Sequence, residues 1–360
     1  MRQQNSTAAL ESWRVVASLY EGADESAATT ARALFAVAGT IAPSLLPPPV
    51  SPPPPPPPLV KTTMRRTATA ALCHSGDALR VVHWNVRRCV AVDGTDSLER
   101  VLRTVEELRP ALLSLNEVDL TRTPSLLEDL SAIGLPHASF FGHVRGTYGN
   151  LLASASPLHD IEHTHLEGGS EVRTKDGGVH RIARGMLAAS TSVAGVDMRV
   201  AVTHLDHMSS EQRQVQTRHV MRQLGGDGQC LVLGDLNALC RTDYTDEEWE
   251  AHAAYNDAHG WPSPCAEEAC LAEMRTSRFV DAYAVLEQQP EWRAPPWSAH
   301  TRDAERPQYR IDYVWSRAPR TPGGRRLVPL AAAIETQCGE ASDHQPLVLD
   351  FEAIAFDAGE

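Results

Sequence analysis

Leu79-Arg80-Val81-Val82-His83-Trp84-Asn85 is a short run rich in Val and Leu, and it reads as a buried strand that ends on an amide. A helix follows it. Leu98, Val101, Leu102, Val105 and Leu108 fall on one helical face, Asp96 and Glu99 have capping-box spacing at its start, and Pro110 stops it. Leu112 to Leu115 is a second apolar run, closed by Asn116 and Glu117. Strand, helix and strand in this order make a layered α/β domain. Outward from there, strands are predicted at Asn150–Ala155, Met186–Val193, Met198–His204, Cys230–Asp235, Arg310–Trp315 and Pro346–Phe351. Ser209 and Gln212 repeat the capping spacing and open a helix towards Leu224. No internal repeat is visible. Polar residues recur where the apolar strands stop, the place where a scaffold exposes side chains while its core stays dry.

Composition narrows the functional classes. A formal charge of -13, from 33 basic and 46 acidic residues, argues against tight sequence-independent binding to a long nucleic acid, which needs many phosphate contacts from Lys and Arg. The seven cysteines are odd in number and form no regular framework, so they read as mostly reduced thiols in an intracellular protein. Cys265 and Cys270 lie near His252 and His259, but the spacing is not a standard zinc pattern, and free cysteines are the preferred reading.

Residues 1–76 are different material from the domain expected over residues 77–355. Pro47–Pro49 and the unbroken run Pro52–Pro58 carry no backbone donors and favour polyproline II. The run reads as a spacer, or as a ligand for a proline-recognising module. Ala33–Ala42 is apolar but stops at Pro43, well short of the roughly 18–20 residues of a membrane span. Met64-Arg65-Arg66 opens an Ala/Thr-rich stretch with no acidic residue before Asp77; an organelle-targeting segment and an alternative start both fit it.

Six polar elements carry chemistry: Asn85; Glu117 after Asn116; His204 in Thr203-His204-Leu205; Asp235 and Asn237 after Gly234; Asp312 in Arg310-Ile311-Asp312-Tyr313; and Asp343-His344 in Ser342-Asp343-His344-Gln345-Pro346. Carboxylates are hard oxygen donors that suit Mg2+ or Mn2+. Carboxylates, amides and two histidines are what phosphoester hydrolysis requires: charge neutralisation at the phosphoryl oxygens, a base for water and an acid for the leaving oxygen. Each has a plainer reading. Glu117 alone is a surface charge, Asp235 and Asn237 alone make a turn, His204 alone is a core histidine, and Asp312 alone is a local partner of Arg310. His83, His207 and His219 are read as structural or surface residues.

These motifs, in this order, resemble the endonuclease/exonuclease/phosphatase superfamily, the DNase I-like fold, over residues 79–352. Tyr148-Gly149-Asn150-Leu151-Leu152 followed by Ser156-Pro157-Leu158 is similar to the family's mid-domain strand and turn. The resemblance implies a four-layer αββα sandwich, two stacked and mostly antiparallel β-sheets flanked by helices, with the site at one end. It implies Glu117 as the principal metal ligand, Asp343 as a further metal or water ligand, and Asn85 as a residue orienting Glu117 and the phosphate. It further implies that Asp235 orients or deprotonates water and that Asn237, expected on the same face of an extended segment, bonds the phosphoryl group. His344 would touch the scissile phosphate with Asp312 fixing its tautomer, and His204 would supply the acid. Asn116 departs from the family, which usually has Gln there; the shorter amide is expected to reach its partner poorly.

Substrate identity rests on weaker signals. Arg173–Arg184 is locally basic, and Arg184, directly before a strand, is the candidate phosphate clamp. Trp292 and Trp297 fit base stacking, an apolar rim or plain packing equally. The expected activity is hydrolysis of a small or lipid-like phosphoester. A nuclease acting on short or single-stranded nucleic acid is the alternative, and a binding protein without catalysis is the third class, disfavoured because every core position is filled. A protein starting at Gly76 is expected to fold and keep the catalytic constants of the full chain, because a proline run cannot join a sheet interior. Insolubility of the shortened protein beside a well-behaved full chain would show that the tail packs on the domain.

Overall fold

The computed structural model describes residues 78–173, 177–259, 261–265, 268–287 and 309–356. The proline run, Lys175 and the two tryptophans of the expected loop lie outside them. The larger compact unit is Thr69–Glu171 with Arg181–Glu360, and Val172–His180 fall in a second unit; a small two-stranded hairpin pairs Glu171–Arg173 with Val179–Arg181.

Two six-stranded sheets form the larger unit. In chain order the strands are β1 Ala78–Asn85, β2 Leu112–Asp119, β3 His137–Val144, β4 Tyr148–Ser154, β5 His159–His165, the hairpin strands β6 and β7, β8 Gly185–Val193, β9 Val196–His204, β10 Gln229–Asp235, β11 Val280–Asp281, β12 Asp312–Arg317, β13 Arg325–Ile334 and β14 Leu347–Ala355. The first sheet runs β13-β14-β1-β2-β4-β3 and the second β11-β12-β10-β9-β8-β5. Both are mixed: β1 with β2 and β10 with β9 are parallel, and the remaining ladders are antiparallel. Helices are α1 Leu98–Leu108, α2 Leu126–Ala132, α3 Ser210–Gln223, α4 Asp246–Ala258, α5 Ala269–Thr276 and α6 Ala282–Glu287.

The period of two along each strand builds the layers. Leu79 and Val81 of β1 join Leu112, Leu187, Val200, Val202, Leu231, Leu233 and Val314 in a core fed by both sheets. Their neighbours Val82, Trp84, Leu113 and Leu115 turn the other way, against Val101, Val105 and Leu108 of α1 and Leu126 and Leu130 of α2. On the second sheet, Ala201, Val232, Tyr313 and Trp315 pack with Val220 of α3 and with Cys270, Leu271 and Met274 of α5. Helix, sheet, sheet and helix therefore stack as the sequence implies.

Local details depart from expectation for identifiable reasons. Ser97, not Asp96, caps α1, and it makes no side-chain cap bond; Asp96 instead accepts the Leu98 amide at 3.1 Å. Ser209 does cap α3, accepting the Gln212 amide at 3.3 Å, but the Gln212 side chain turns away to accept the Gly169 amide at 2.7 Å. The strand expected from Arg310 starts at Asp312, because the Arg310 amide is drawn to Tyr244 Oη at 2.9 Å and the Ile311 carbonyl to the Leu236 amide at 2.9 Å. Polar β5 escapes a hydrophobic pattern because it is an edge strand; β13, the edge of the other sheet, carries Pro329 at a register shift, where an edge tolerates it.

Arg310 is buried between two carboxylates, with Nε 2.7 Å from Asp243 and Nη2 2.5 Å from Asp281, and it stacks on Tyr313 at 4.4 Å. Removing the cation leaves two buried anions without their partner. Arg310→Ala is expected to lower unfolding free energy by about 3–5 kcal/mol, measured by denaturant unfolding; a loss under about 1 kcal/mol, the size of an exposed pair, would contradict that account.

Candidate active site

Strand direction and register place the polar residues together. β1 and β2 are parallel and pair Asn85 with Asn116 at their carboxyl ends. β9 and β10 are parallel and pair His204 with Asp235 at theirs. β12 runs antiparallel to β10, so its first residue, Asp312, lies opposite Asp235. β14 runs antiparallel to β1, with Leu347 opposite His83, so the loop carrying Asp343 and His344 arrives at the same level. The two sheets are then tied to each other by polar bonds. Asn85 Nδ2 donates to Asp235 Oδ2 at 3.2 Å, and the Asp235 amide donates to Asn116 Oδ1 at 2.9 Å. Asn116 Nδ2 in turn donates to Asn150 Oδ1 at 2.9 Å. The short amide thus spans its gap, contrary to the expectation that Gln was needed.

Asp235 lies at the centre, fully buried. Its Oδ1 accepts the Asn237 amide at 3.0 Å. Its Oδ2 faces His204 Nε2 at 3.6 Å and His344 Nε2 at 3.7 Å. Burial, then the negative charge of Asp312, lift its carboxyl to about 7. Asp312 meets His344 Nδ1 at 2.8 Å through Oδ2. Burial works against the Asp312 charge, but His344 and then His83 outweigh it and hold the carboxyl far below the usual range. The same pairing raises His344 well above an ordinary histidine, against its own burial. His204 goes the other way: burial, then Arg184 and the neighbouring imidazoles, hold it well below the ordinary value. One site therefore pushes one imidazole towards the charged form and the other towards the neutral form.

Glu117 interrupts β2. Its φ is +57°, and the β2–β4 register shifts between Leu115 and Val118. Such a bulge re-aims a side chain at a cost of order 1–3 kcal/mol for a non-glycine residue in this region. The Glu117 side chain, half-buried, accepts from Asn85 Nδ2 at 3.0 Å on Oε1; among the described residues nothing bonds Oε2. Asp343 is 41% exposed, with Arg87 Nε 3.5 Å away, and Ser342 Oγ pins this loop to the Asn85 carbonyl at 2.7 Å. Carboxylate oxygens left available beside a strand end fit a hard divalent cation. Asp235, Asp312 and His344 also bring ligand-type atoms within 4.8 Å of one another. The Asp312 oxygens, however, already accept from two histidines. Among the described residues no group gathers Cys265 or Cys270 with histidines; Cys265 is exposed, and Cys270 is buried, which pushes its thiol to about 12.

Asn237 is not on the Asp235 face of an extended segment as expected, because β10 ends at Asp235 and Asn237 is left-handed at φ +49°. Its Nδ2 donates to the Leu205 carbonyl at 3.1 Å. Arg184 is not a solvent-facing clamp: it is 4% exposed, and its Nη2 meets His207 Nδ1 at 2.9 Å. Sequence reasoning missed His83, which is fully buried. Its Nε2 lies 3.0 Å from Asp312 Oδ1, and its Nδ1 lies 3.0 Å from Ser114 Oγ. A histidine in an apolar run directly before the Trp84-Asn85 pair was the available signal.

The described residues contain no helix long and apolar enough to cross a membrane. A search among curated proteins gives no significant sequence match. Solved structures are similar in fold: an endonuclease/exonuclease/phosphatase from Beutenbergia cavernae at 21% identity and TM-score 0.56, covering 77% of this chain and 72% of that one; the human Nocturnin catalytic domain with bound sulfate at 19% and 0.53, covering 77% and 94%; and an endonuclease/exonuclease/phosphatase from Bacteroides vulgatus at 17% and 0.53, covering 77% and 99%. Residues 82–344 match the profile of the Endonuclease/Exonuclease/phosphatase family, and the chain belongs to that family.

Proposed function

We propose that residues 77–355 form an intracellular, Mg2+- or Mn2+-dependent phosphoester hydrolase acting on a small or lipid-like phosphoester. Family members are generally hydrolases of phosphoester bonds. One observation carries the reading: a single buried carboxylate oxygen of Asp235 has Asn85, His204 and His344 within 3.2, 3.6 and 3.7 Å. This gathers a base, an amide donor and two imidazoles where both sheets end. Mg2+ held by Glu117, with Asp343 as further ligand, would neutralise charge on the phosphoryl oxygens. Asn85 orients Glu117 and the phosphate. Asp235 takes the proton of the attacking water. Asn237, aligned by its bond to Leu205, donates to the phosphoryl group. His344, charged and fixed by Asp312, contacts the scissile phosphate. His204 protonates the leaving oxygen: burial and then Arg184 hold the imidazole down, and an anionic substrate offsets the Arg184 charge, which helps it take up the proton it then gives up. Arg184 sustains positive potential beside His204 and attracts the phosphate. Net charge of -13 favours small substrates over long polyanions. Four buried cysteines, Cys89, Cys230, Cys270 and Cys338, whose thiols burial pushes to about 12, suit an intracellular protein with reduced thiols.

The deciding experiment incubates the purified chain with Mg2+ and panels of phosphomonoester, phosphodiester, phospholipid and single-stranded nucleic acid. EDTA is expected to abolish activity, Mg2+ or Mn2+ to restore it, and Glu117→Gln to lose most of it without unfolding. Full activity in metal-free buffer would sink the metal assignment, and preference for single-stranded nucleic acid would replace the substrate class.

The two histidines separate by leaving group. His204→Ala is expected to slow esters with basic leaving oxygens far more than nitrophenyl esters, whereas His344→Ala slows both alike. Equal losses for His204→Ala on both ester types would remove it as the acid.

Asp235 yields a pH dependence with a definite sign. Its folded value, about 7, exceeds the unfolded carboxyl's ~3.9. Between these values the folded state binds the extra proton, so Asp235 weakens the metal-free fold increasingly as pH rises towards 7, with no further change above. Asp235→Asn should lower kcat by ~10²-fold or more, yet gain stability over wild type at pH 8 relative to pH 4. Melting curves of the metal-free proteins at both pH values check this; an unchanged stability gap would refute it.

A further inference from the structure

We propose that His83 is a positioning residue for the hydrolytic site, acting through Asp312 on His344. The inference rests on the functional reading above. It stands on a chain of four side chains: Ser114 Oγ to His83 Nδ1 at 3.0 Å, His83 Nε2 to Asp312 Oδ1 at 3.0 Å, and Asp312 Oδ2 to His344 Nδ1 at 2.8 Å. The first three residues are completely buried, and the chain ends in the site, where the His344 side chain keeps 12% exposure.

The protons along this chain follow from its ends. His83 Nε2 faces a carboxylate oxygen, which has only lone pairs to offer, so Nε2 carries a hydrogen and donates it. His83 Nδ1 is left to the Ser114 hydroxyl, which either donates or accepts. At the far end the same reasoning applies: His344 Nδ1 donates to Asp312 Oδ2, which leaves Nε2 directed towards Asp235. Asp312 is thus a buried anion clamped between two imidazole donors, one on each oxygen. A carboxylate held at one oxygen can rotate about its Cβ–Cγ bond and re-aim the other. Held at both, it cannot, and a fixed Oδ2 fixes the plane and tautomer of His344. His83 is well placed for this. It sits two residues before Asn85 on β1, a strand whose register with β2 brings Ser114 directly opposite His83. The rigid centre of one sheet therefore sets the orientation of a group carried by the other.

The alternative is that His83 simply satisfies a buried polar site. Two isosteric amides distinguish these readings in the full-length protein. The amide nitrogen of Gln reaches the position of histidine Nε2, whereas that of Asn reaches only the position of Nδ1. Both substitutions keep a polar, buried, hydrogen-bonding side chain. His83→Gln is expected to keep kcat close to wild type. His83→Asn should lower kcat roughly 10- to 100-fold, the usual cost of losing a partner behind a functional group, with KM little changed. Wild-type kcat in His83→Asn, or equal losses in both variants, would overturn the proposal. A second readout does not depend on turnover. Proton NMR of the metal-free protein should show the His344 Nδ1–H signal downfield and protected from exchange in wild type and His83→Gln, and broadened or absent in His83→Asn. Should the wild-type protein hydrolyse no phosphoester, the functional reading fails, and the NMR comparison alone decides the positioning role. A protected His344 signal in His83→Asn would overturn it.

Discussion

The Asp235 main-chain amide, 2.9 Å from Asn116 Oδ1, is the joint on which the rest depends. Stacked sheets are held mainly by apolar side chains, and apolar contact is indifferent to a slide of an ångström or two. A hydrogen bond is not. This one passes between the ends of β2 and β10, strands of different sheets, and is seconded by Asn85 reaching the Asp235 carboxylate. Together they fix the height at which the sheets end relative to one another. Once that height is set, ladder register does the remainder. His204 and Asp312 flank Asp235 on its own sheet, and Asn85 and Asn116 stand side by side on the other. Asn150, which holds Asn116, also donates to the Gly185 carbonyl at 2.8 Å, so a second amide crosses between the sheets just behind the first.

Regular strands would point these residues to alternate faces, and the molecule breaks regularity where that fails. Glu117 and Asn237 both take positive φ, a conformation that costs free energy in a non-glycine residue. Asparagine tolerates it better than glutamate does. The bulge at Glu117 is the more expensive of the two, and it occurs where β2 leaves its ladder with β4. The surrounding elements over-determine it: β1 on one side, β4 on the other, and Asn85 bonded to the carboxylate itself. Strain of this kind persists only where neighbours enforce it, and here its result is a carboxylate facing the strand ends instead of a sheet face.

Much of this was legible in the sequence. Layering follows from the apolar runs of β1, β2, β9 and β10, helix α1 from its apolar face, and helix α3 from the capping spacing of Ser209 and Gln212. Glu117 and Asp235 stand out because each is a polar residue closing an apolar run, and His344 because it adjoins Asp343 just before one. Three features were not legible, and each depends on partners far along the chain. His83 reads as a strand residue whichever neighbour it meets; its partner, Asp312, is 229 positions away. Arg184 sits beside a basic stretch and invites a surface reading, yet Asp206 and His207 draw it inward. Asn237 was expected to continue the strand of Asp235, but a local pattern says nothing about where Leu205 will offer a carbonyl. Edge strands were missed for a related reason: with one flank unpaired and nearly every residue exposed, β5 needs little apolar character.

Two aspartates in contact with the same histidine are driven in opposite directions, and the difference lies in what else touches them. Asp312 has an imidazole N–H on each oxygen, so its charge is stabilised although it is sealed from water. Asp235 has peptide and amide donors, but burial lifts its carboxyl and the charge of Asp312 adds to that. Paired carboxylates whose environments separate them in this way divide acid and base duties between them. In the proposed function Asp312 stays an anion and orients its partner. In the same reading Asp235, lifted to about 7, takes the proton of the attacking water near neutral pH. His344 then follows Asp312 and is charged, whereas His204, pressed by burial and by Arg184, is not. In the proposed function a phosphate at this end of the sandwich lies between His344, raised by Asp312, and His204, held down by burial and then Arg184. The two imidazoles are thus driven in opposite directions by which residues sit behind them.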